Sequence, residues 1–335
     1  MIAVAMPIKA WSMGLRGLAQ VWKAEGKPIV HVNGRRGNFI AILAKSLFSG
    51  FRFVTTVHGV LGLHARRNAA YRLVDLGASC AANAVIAVSA DTRRRLVAAG
   101  VPSGKTLTIS NGLAVDDMKS LVSLAGSREH RPHAAIKPRV GFLGRFSLEK
   151  GIDEFVGMAC RLCAEDATAT FAVAGSGPSL PRFAEQTEGL VADGRLRYVG
   201  DTLDPVSFLS DVDILVMPSH NEGLPYVLLE GMAAGCAVVA YGVGGIPEVV
   251  TDSSLGTLVR PHDFEGLVTA VSEFVEQPAL VRSTGARASE HVRERYALPQ
   301  RLSLLAKAYE MCGGDRTRSI ARAYESGGDG VWCGL

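Results

Sequence analysis

Short apolar runs alternate with stretches of helical period along most of the chain. In the first part, Ile2–Ile8, Pro28–Asn33, Phe51–His58, Ala84–Ser89 and Leu107–Ser110 read as strands. Between them, apolar positions in Phe39–Leu47 and Ala90–Ala99 recur at helical spacing. Apolar runs of this length separated by helices predict a parallel sheet. The second part repeats the plan. Its strands read at Arg139–Leu143, Thr170–Ala174, Leu196–Val199, Ile214–Met217, Ala237–Ala240 and Gly256–Val259, with helices such as Asp153–Leu162 and Asp263–Glu276 between them. Asn111-Gly112 marks a turn. Regular patterning then fades over 117–138, where Ser, His, Arg and Pro gather. The pattern therefore predicts an α/β domain over 1–116, a linker over 117–138 and a second α/β domain over 139–298. A last helix follows near Pro299–Met311, within 299–312, and the Gly-rich residues 313–335 are expected to be a disordered tail.

One stretch organises the second domain. The apolar run Ile214-Leu215-Val216-Met217-Pro218 leads through Ser219-His220-Asn221-Glu222-Gly223-Leu224-Pro225 into a helical pattern. Pro225 suits the first helical position, where its missing N–H costs nothing. Gly235 suits the position just past the helix end. Asn221, Glu222 and Gly223 then lie between a strand's carboxyl end and a helix's amino end. Ligands bind there in doubly wound sheets, and the helix start favours an anion. Glu222 and Glu230 are on the order of 10 Å apart along the segment. That spacing suits a long ligand with an anionic middle and hydroxyls at both ends, the shape of a nucleotide-sugar. The plainer reading makes Glu222 a helix-dipole carboxylate and Glu230 a solvated helix residue.

Other strand ends carry candidate chemistry. After Arg139–Leu143, Gly144 turns the chain and Arg145 and Lys150 project from a loop. A forked guanidinium and a point-charge ammonium can bracket a diphosphate and stabilise it as it departs. Alone, the pair could be an exposed basic loop. Gly175 and Gly177 in Ala174-Gly175-Ser176-Gly177-Pro178 permit close backbone approach, and Gly244-Gly245 permits a sharp turn. Glu248 either meets that site or opens a helix. His58 closes the strand before Gly59 and His31 lies in Val30-His31-Val32-Asn33-Gly34; strand-end histidines are commonly structural.

Composition bounds the classes. A chain of 335 residues suffices for two domains. No apolar run reaches the length of a membrane span, about 18 residues. The start lacks the basic and apolar regions of a signal peptide. The six cysteines are scattered, and Cys160-x-x-Cys163 has no second pair, so buried thiols in a reducing cytoplasm are expected rather than zinc. Charge is asymmetric: residues 1–130 hold 17 Lys+Arg and 6 Asp+Glu, a balance of +11, against −7 for the rest. Arg35, Arg36, Arg66, Arg67, Arg93, Arg94 and Arg95 form either a solvated face or a surface for anionic membrane. No aromatic-interleaved basic strand points to nucleic acid.

The motif Ser-x-x-Glu-Gly-Leu-Pro with Glu222-x7-Glu230, joined to Gly144-Arg145-x4-Lys150-Gly151 and Gly244-Gly245-Ile246-Pro247-Glu248, resembles the donor site of the GT4-type retaining glycosyltransferases. Val88-Ser89-x-x-Thr92 and Ile109-Ser110-Asn111-Gly112 also match that family, over about residues 28–310. The resemblance implies a GT-B α/β fold, two Rossmann-like domains with parallel sheets facing across a cleft, the last helix crossing back to the first domain. It implies sugar transfer, with retention, from a nucleotide-sugar to a hydroxyl acceptor such as a glycolipid or polysaccharide precursor. Arg145, Lys150 and Gly144 would meet the diphosphate and Glu222 the sugar hydroxyls, helped by Asn221 and the backbone N–H groups of Gly223 and Leu224. Glu230 would hold the ribose, Gly245 would lie near the phosphates, Gly175 and Gly177 near the base, and His58 would line the sugar. No metal or other cofactor is implied, and a cytoplasmic location, or a peripheral one on the inner face of the plasma membrane, fits. In one respect the sequence departs from the family: nothing before Pro28 supplies the Gly-rich opening turn, so the first domain is expected to be short at its N-terminus. Two alternatives follow: a non-catalytic nucleotide-sugar-binding subunit, and a nucleotide-sugar 2-epimerase sharing the double layout.

Overall fold

The computed structural model describes residues 29–59, 69–129, 138–165, 169–202 and 204–313, together with Leu15, 17–19 and 22–23. The chain divides into two compact units, Met1–Ser110 with Pro299–Leu335, and Asn111–Leu298.

In the first unit, β1 (Ile29–Asn33), β2 (Arg52–Val57), β3 (Ala84–Ala87) and β4 (Thr106–Thr108) form a parallel sheet in sequence order. Helices Gly34–Leu47, Ala69–Ala81 and Ala90–Ala98 make the connections. The last starts where the Ser89 hydroxyl accepts from the Thr92 N–H at 3.0 Å, an N-cap. Both faces of the sheet are covered, so its strands read as continuous apolar runs. Phe53, Val85 and Ala87 pack with Leu18 and Trp22 on one face. Val54, Ala84 and Ile86 pack with Ala308 and Tyr309 of the Pro299–Glu310 helix on the other.

In the second unit, β5 (Arg139–Leu143), β6 (Thr170–Ala174), β7 (Leu196–Gly200), β8 (Ile214–Met217), β9 (Ala237–Tyr241) and β10 (Thr257–Val259) form one parallel sheet in the order β10-β9-β8-β5-β6-β7. The chain runs from β5 outward through β6 and β7, returns to the middle at β8, and runs outward the other way. Beside β5, its core gathers Phe142, Phe146, Phe155, Phe171 and Phe183.

The expected linker is largely a helix. Val115–Glu129 is α-helical, with Met118, Leu121 and Ala125 buried. It packs on the Tyr226–Ala233 and Pro278–Arg295 helices. Three apolar positions at i, i+3 and i+7 make a narrow stripe that surrounding Asp, Lys and Ser obscure. The second unit therefore begins at Asn111, not residue 139, and Leu113 bridges to Ala297 as its edge. Residues 130–137, the Ile2–Ile8 strand, the expected short start, Arg66, Arg67 and the tail from 314 lie outside the described residues.

Candidate functional site

β5 and β8 are hydrogen-bonded neighbours, and the chain leaves them in opposite directions. Their carboxyl ends thus form a switch point, where doubly wound sheets bind ligands. The loop after β5 carries Gly144, Arg145 and, on a 3-10 turn Leu148–Lys150, the Lys150 ammonium. The loop after β8 carries Asn221, Glu222, Gly223 and Leu224 before the Tyr226–Ala233 helix.

The two loops meet in an ion pair. Lys150 Nζ lies 2.7 Å from Glu222 Oε1 and 2.9 Å from Oε2. The Glu222 side chain is 7% exposed and that of Lys150 33%. Separate partners were expected, a sugar for Glu222 and a diphosphate for Lys150. A carboxylate this buried loses its hydration, and the ammonium offsets that cost. Arg145 is exposed, and no described residue pairs with it.

Backbone contacts fix the Glu222 loop. Gly244, between β9 and the short Ile246–Val249 helix, has φ +57, and its Cα faces the Glu222 carbonyl so closely that a Cβ would overlap it. The Gly245 N–H donates to the Gly223 carbonyl at 2.6 Å. Asn111 Nδ2 donates to the Leu224 carbonyl at 2.6 Å. Pro225 is extended, at φ −73 and ψ 136, and precedes the helix instead of opening it. No side chain caps that helix start. Gly235, at φ +75, follows its last turn as expected.

The loops after β5, β6 and β7 are stitched side by side. The Phe146 N–H donates to the Ser176 carbonyl at 2.9 Å and the Gly175 N–H to the Gly200 carbonyl at 2.8 Å. The Tyr198 hydroxyl donates to the Gly175 carbonyl at 3.1 Å. Gly175 and Gly177 thus lie beside Gly144 and Phe146.

Glu230 sits in the second turn of its helix and is not a solvated surface residue. Burial pushes its carboxyl up to about 7, and the negative charge of Asp117 adds to the shift. Asp117 belongs to the segment expected to be a linker, so its proximity to Glu230 was not foreseen.

His58 belongs to the first unit. Burial holds its imidazole below the ordinary range, and its Nε2 is buried with no hydrogen-bond partner among the described residues. His31 is fully engaged, with Nδ1 2.9 Å from the Tyr309 hydroxyl and Nε2 2.7 Å from Thr56 Oγ1. Burial, and the nearby His58, lower its pKa to about 4. His31 is structural. Several arginines of the basic group have local partners. Arg93 donates to the Thr106 carbonyl, Arg94 and Arg95 pair with Asp91, and Arg35 pairs with Asp75. Among the described residues, no helix is long and apolar enough to cross a membrane, and no cluster of His, Cys, Asp and Glu could hold a metal.

Comparison with known proteins places this geometry in a family. Residues 137–277 match the model of glycosyl transferases group 1, and residues 7–117 that of glycosyltransferase family 4. The chain is 32% identical over 181 residues to a lipopolysaccharide core biosynthesis mannosyltransferase of Rhizobium leguminosarum bv. viciae, covering 52% of this chain and 51% of that protein. The chain spans about half the length of the curated relatives it matches. Among solved structures, sucrose-phosphate synthase of Thermosynechococcus elongatus superposes with a TM-score of 0.72 at 23% identity, covering 96% of this chain and 81% of that one. An Anabaena protein, HepE, solved with UDP and glucose, superposes with a TM-score of 0.73 at 20% identity, covering 91% and 84%. The fold is GT-B, two parallel-sheet α/β domains. With a family model on each half, the chain belongs to the group 1, family 4 glycosyltransferases.

Proposed function

We propose that this chain transfers a sugar, with retention, from a nucleotide-sugar to a hydroxyl acceptor, a glycolipid or polysaccharide precursor. The observation that carries the reading is the Lys150–Glu222 pair at the switch point of the second sheet. An ammonium has three donors. Lys150 can keep Glu222 and still offer a hydrogen to a phosphate oxygen. Exposed Arg145 supplies the forked second cation. Glu222 accepts from the sugar hydroxyls, and Glu230, once ionised, from the ribose hydroxyls. The sugar C1–O bond to the diphosphate breaks and a bond from C1 to the acceptor oxygen forms on the same face. The acceptor proton passes to the departing phosphate oxygen. The two cations stabilise the charge that grows there. These residues do this without a metal ion.

The likeness to a Rhizobium mannosyltransferase of lipopolysaccharide core biosynthesis supports a saccharide or glycolipid acceptor. The basic balance of residues 1–130 supports weak contact with an anionic membrane at the cytoplasmic face. The test is incubation with a panel of nucleotide-sugars, with and without EDTA, while nucleotide release is followed. Release from one donor, unchanged by EDTA, is expected. Tight nucleotide-sugar binding with no release under any acceptor would favour a non-catalytic binding subunit.

A further inference from the structure

We propose that His220 is a positioning residue, which clips the loop carrying Glu222 to the loop carrying Lys150. The proposal rests on the reading of that pair as part of the donor site. His220 stands two residues before Glu222 and reaches both sides of Lys150. Its backbone N–H donates to the Glu149 carbonyl at 2.9 Å. Its ring Nε2 lies 2.6 Å from Glu154 Oε1, in the first turn of the Ile152–Ala164 helix. Between these two contacts, Gly151 has φ +70 and faces the Pro218 carbonyl so closely that a Cβ would overlap it. The two loops therefore meet backbone to backbone, and only glycine allows it.

A third loop backs the ring. His262 stacks on His220 with centroids 4.4 Å apart and planes 11° from parallel. His262 has φ +66, and no other non-glycine residue among those described is left-handed. The next residue, Asp263, accepts from the Gly266 N–H at 2.8 Å and so starts the Phe264–Glu276 helix. The stack is thus held from a fixed turn after β10. Stability alone does not account for an imidazole here. Its Nδ1 is buried with no partner, as is the Tyr241 hydroxyl nearby. An unpaired buried nitrogen is unfavourable, and an apolar side chain would avoid it. What the imidazole adds is the directed contact with Glu154, which sets the spacing of the two loops.

The experiment compares His220→Leu, which fills the space without the contact, with His220→Gln, which restores a donor at the reach of Nε2. Turnover of the donor that the wild-type protein accepts, nucleoside diphosphate affinity and hydrogen exchange are measured on the full chain. His220→Leu should lower kcat at least about tenfold, since small misplacements of reacting groups cost up to about 100-fold. Nucleoside diphosphate Kd should change less than about threefold, because that ligand lacks the sugar. Exchange of amides in 147–151 and 219–223 should quicken. His220→Gln should regain most of the loss. In a Lys150→Ala background, His220→Leu should cost less than about twofold, because it acts through the pair. Full kcat in His220→Leu, or an undiminished loss in the Lys150→Ala background, overturns the proposal. If His220→Leu does not fold, Glu154→Leu removes the acceptor and breaks the same contact from the other end, and it is judged by the same readouts. A wild-type chain that turns over no donor sinks the functional reading instead. Hydrogen exchange still decides the clip in that case: unchanged protection of both loops in His220→Leu overturns it.

Discussion

Glu230 and Lys150 each carry a measurable consequence of their surroundings. Burial raises the Glu230 carboxyl to about 7, above its ordinary value near 4.5. The folded protein therefore binds more protons than the unfolded chain between those values, and this group's contribution to stability falls as pH rises through that window. Nucleotide binding acts in the opposite sense. Ribose hydroxyls donate to an ionised carboxylate, so nucleoside diphosphate affinity should strengthen as pH rises from about 6 to about 8. Glu230→Gln should abolish that pH dependence and weaken binding at pH 8 by tenfold or more, as expected for hydrogen bonds to a charged group worth about 1.5–3 kcal/mol. Calorimetry across that pH range checks both, and a pH-dependent wild-type affinity that persists in Glu230→Gln removes Glu230 from the site. Lys150→Ala leaves Glu222 buried without its ammonium. Because charge grows on the departing diphosphate, kcat should fall more than KM rises. Steady-state kinetics with the accepted donor decide this; a rise in KM alone would make Lys150 a docking group.

The decisive element is the Val115–Glu129 helix. Leu121, 1% exposed, lies within a segment that reads as linker in the sequence. A linker residue would tolerate truncation, whereas a packed one would not. Leu121→Ala should cost about 2–5 kcal/mol, the range for buried leucines, and chemical denaturation of the second unit should show it. A change below about 0.5 kcal/mol, typical of surface sites, would restore the linker reading. The same helix brings Asp117 close enough to bear on Glu230. Its packing against the Tyr226–Ala233 helix therefore links the fold of the second unit to the ionisation of Glu230, a candidate site residue.

For the whole molecule, the charge asymmetry carries the prediction. Residues 1–130 hold 17 Lys+Arg against 6 Asp+Glu. The pairing of Arg94 and Arg95 with Asp91 and of Arg35 with Asp75 localises part of that charge without cancelling the excess. Vesicle sedimentation should show weak binding to acidic liposomes at about 0.05 M salt. Binding should be lost near 1 M, where the Debye length is about 3 Å. Equal binding to neutral and acidic liposomes, or none to either at low salt, removes the membrane contact and leaves the arginines a solvated, locally paired surface.

Local pattern determined much of this protein. The inner strands read as apolar runs because both faces of their sheet are covered, as in Ala84–Ala87, Ile214–Met217 and Ala237–Tyr241, whereas the edge strand Leu196–Gly200 is largely exposed and was legible from its place between helices. Glycines forced by close approach, Gly151 and Gly244 among them, stood inside recognisable motifs. The tertiary structure alone decided how those pieces meet. Lys150 and Glu222 are 72 positions apart, and their pairing depends on β5 and β8 becoming neighbours. The pKa of Glu230 depends on burial and on Asp117, neither of which a local window contains. Asn111 read as a turn residue, yet its amide holds the Leu224 carbonyl 113 positions away. The Val115–Glu129 helix escaped notice because its stripe of three buried residues acquires meaning only from the helices that cover it. Periodicity records which face an element buries; partners, protonation and the meeting of loops belong to contacts distant in sequence.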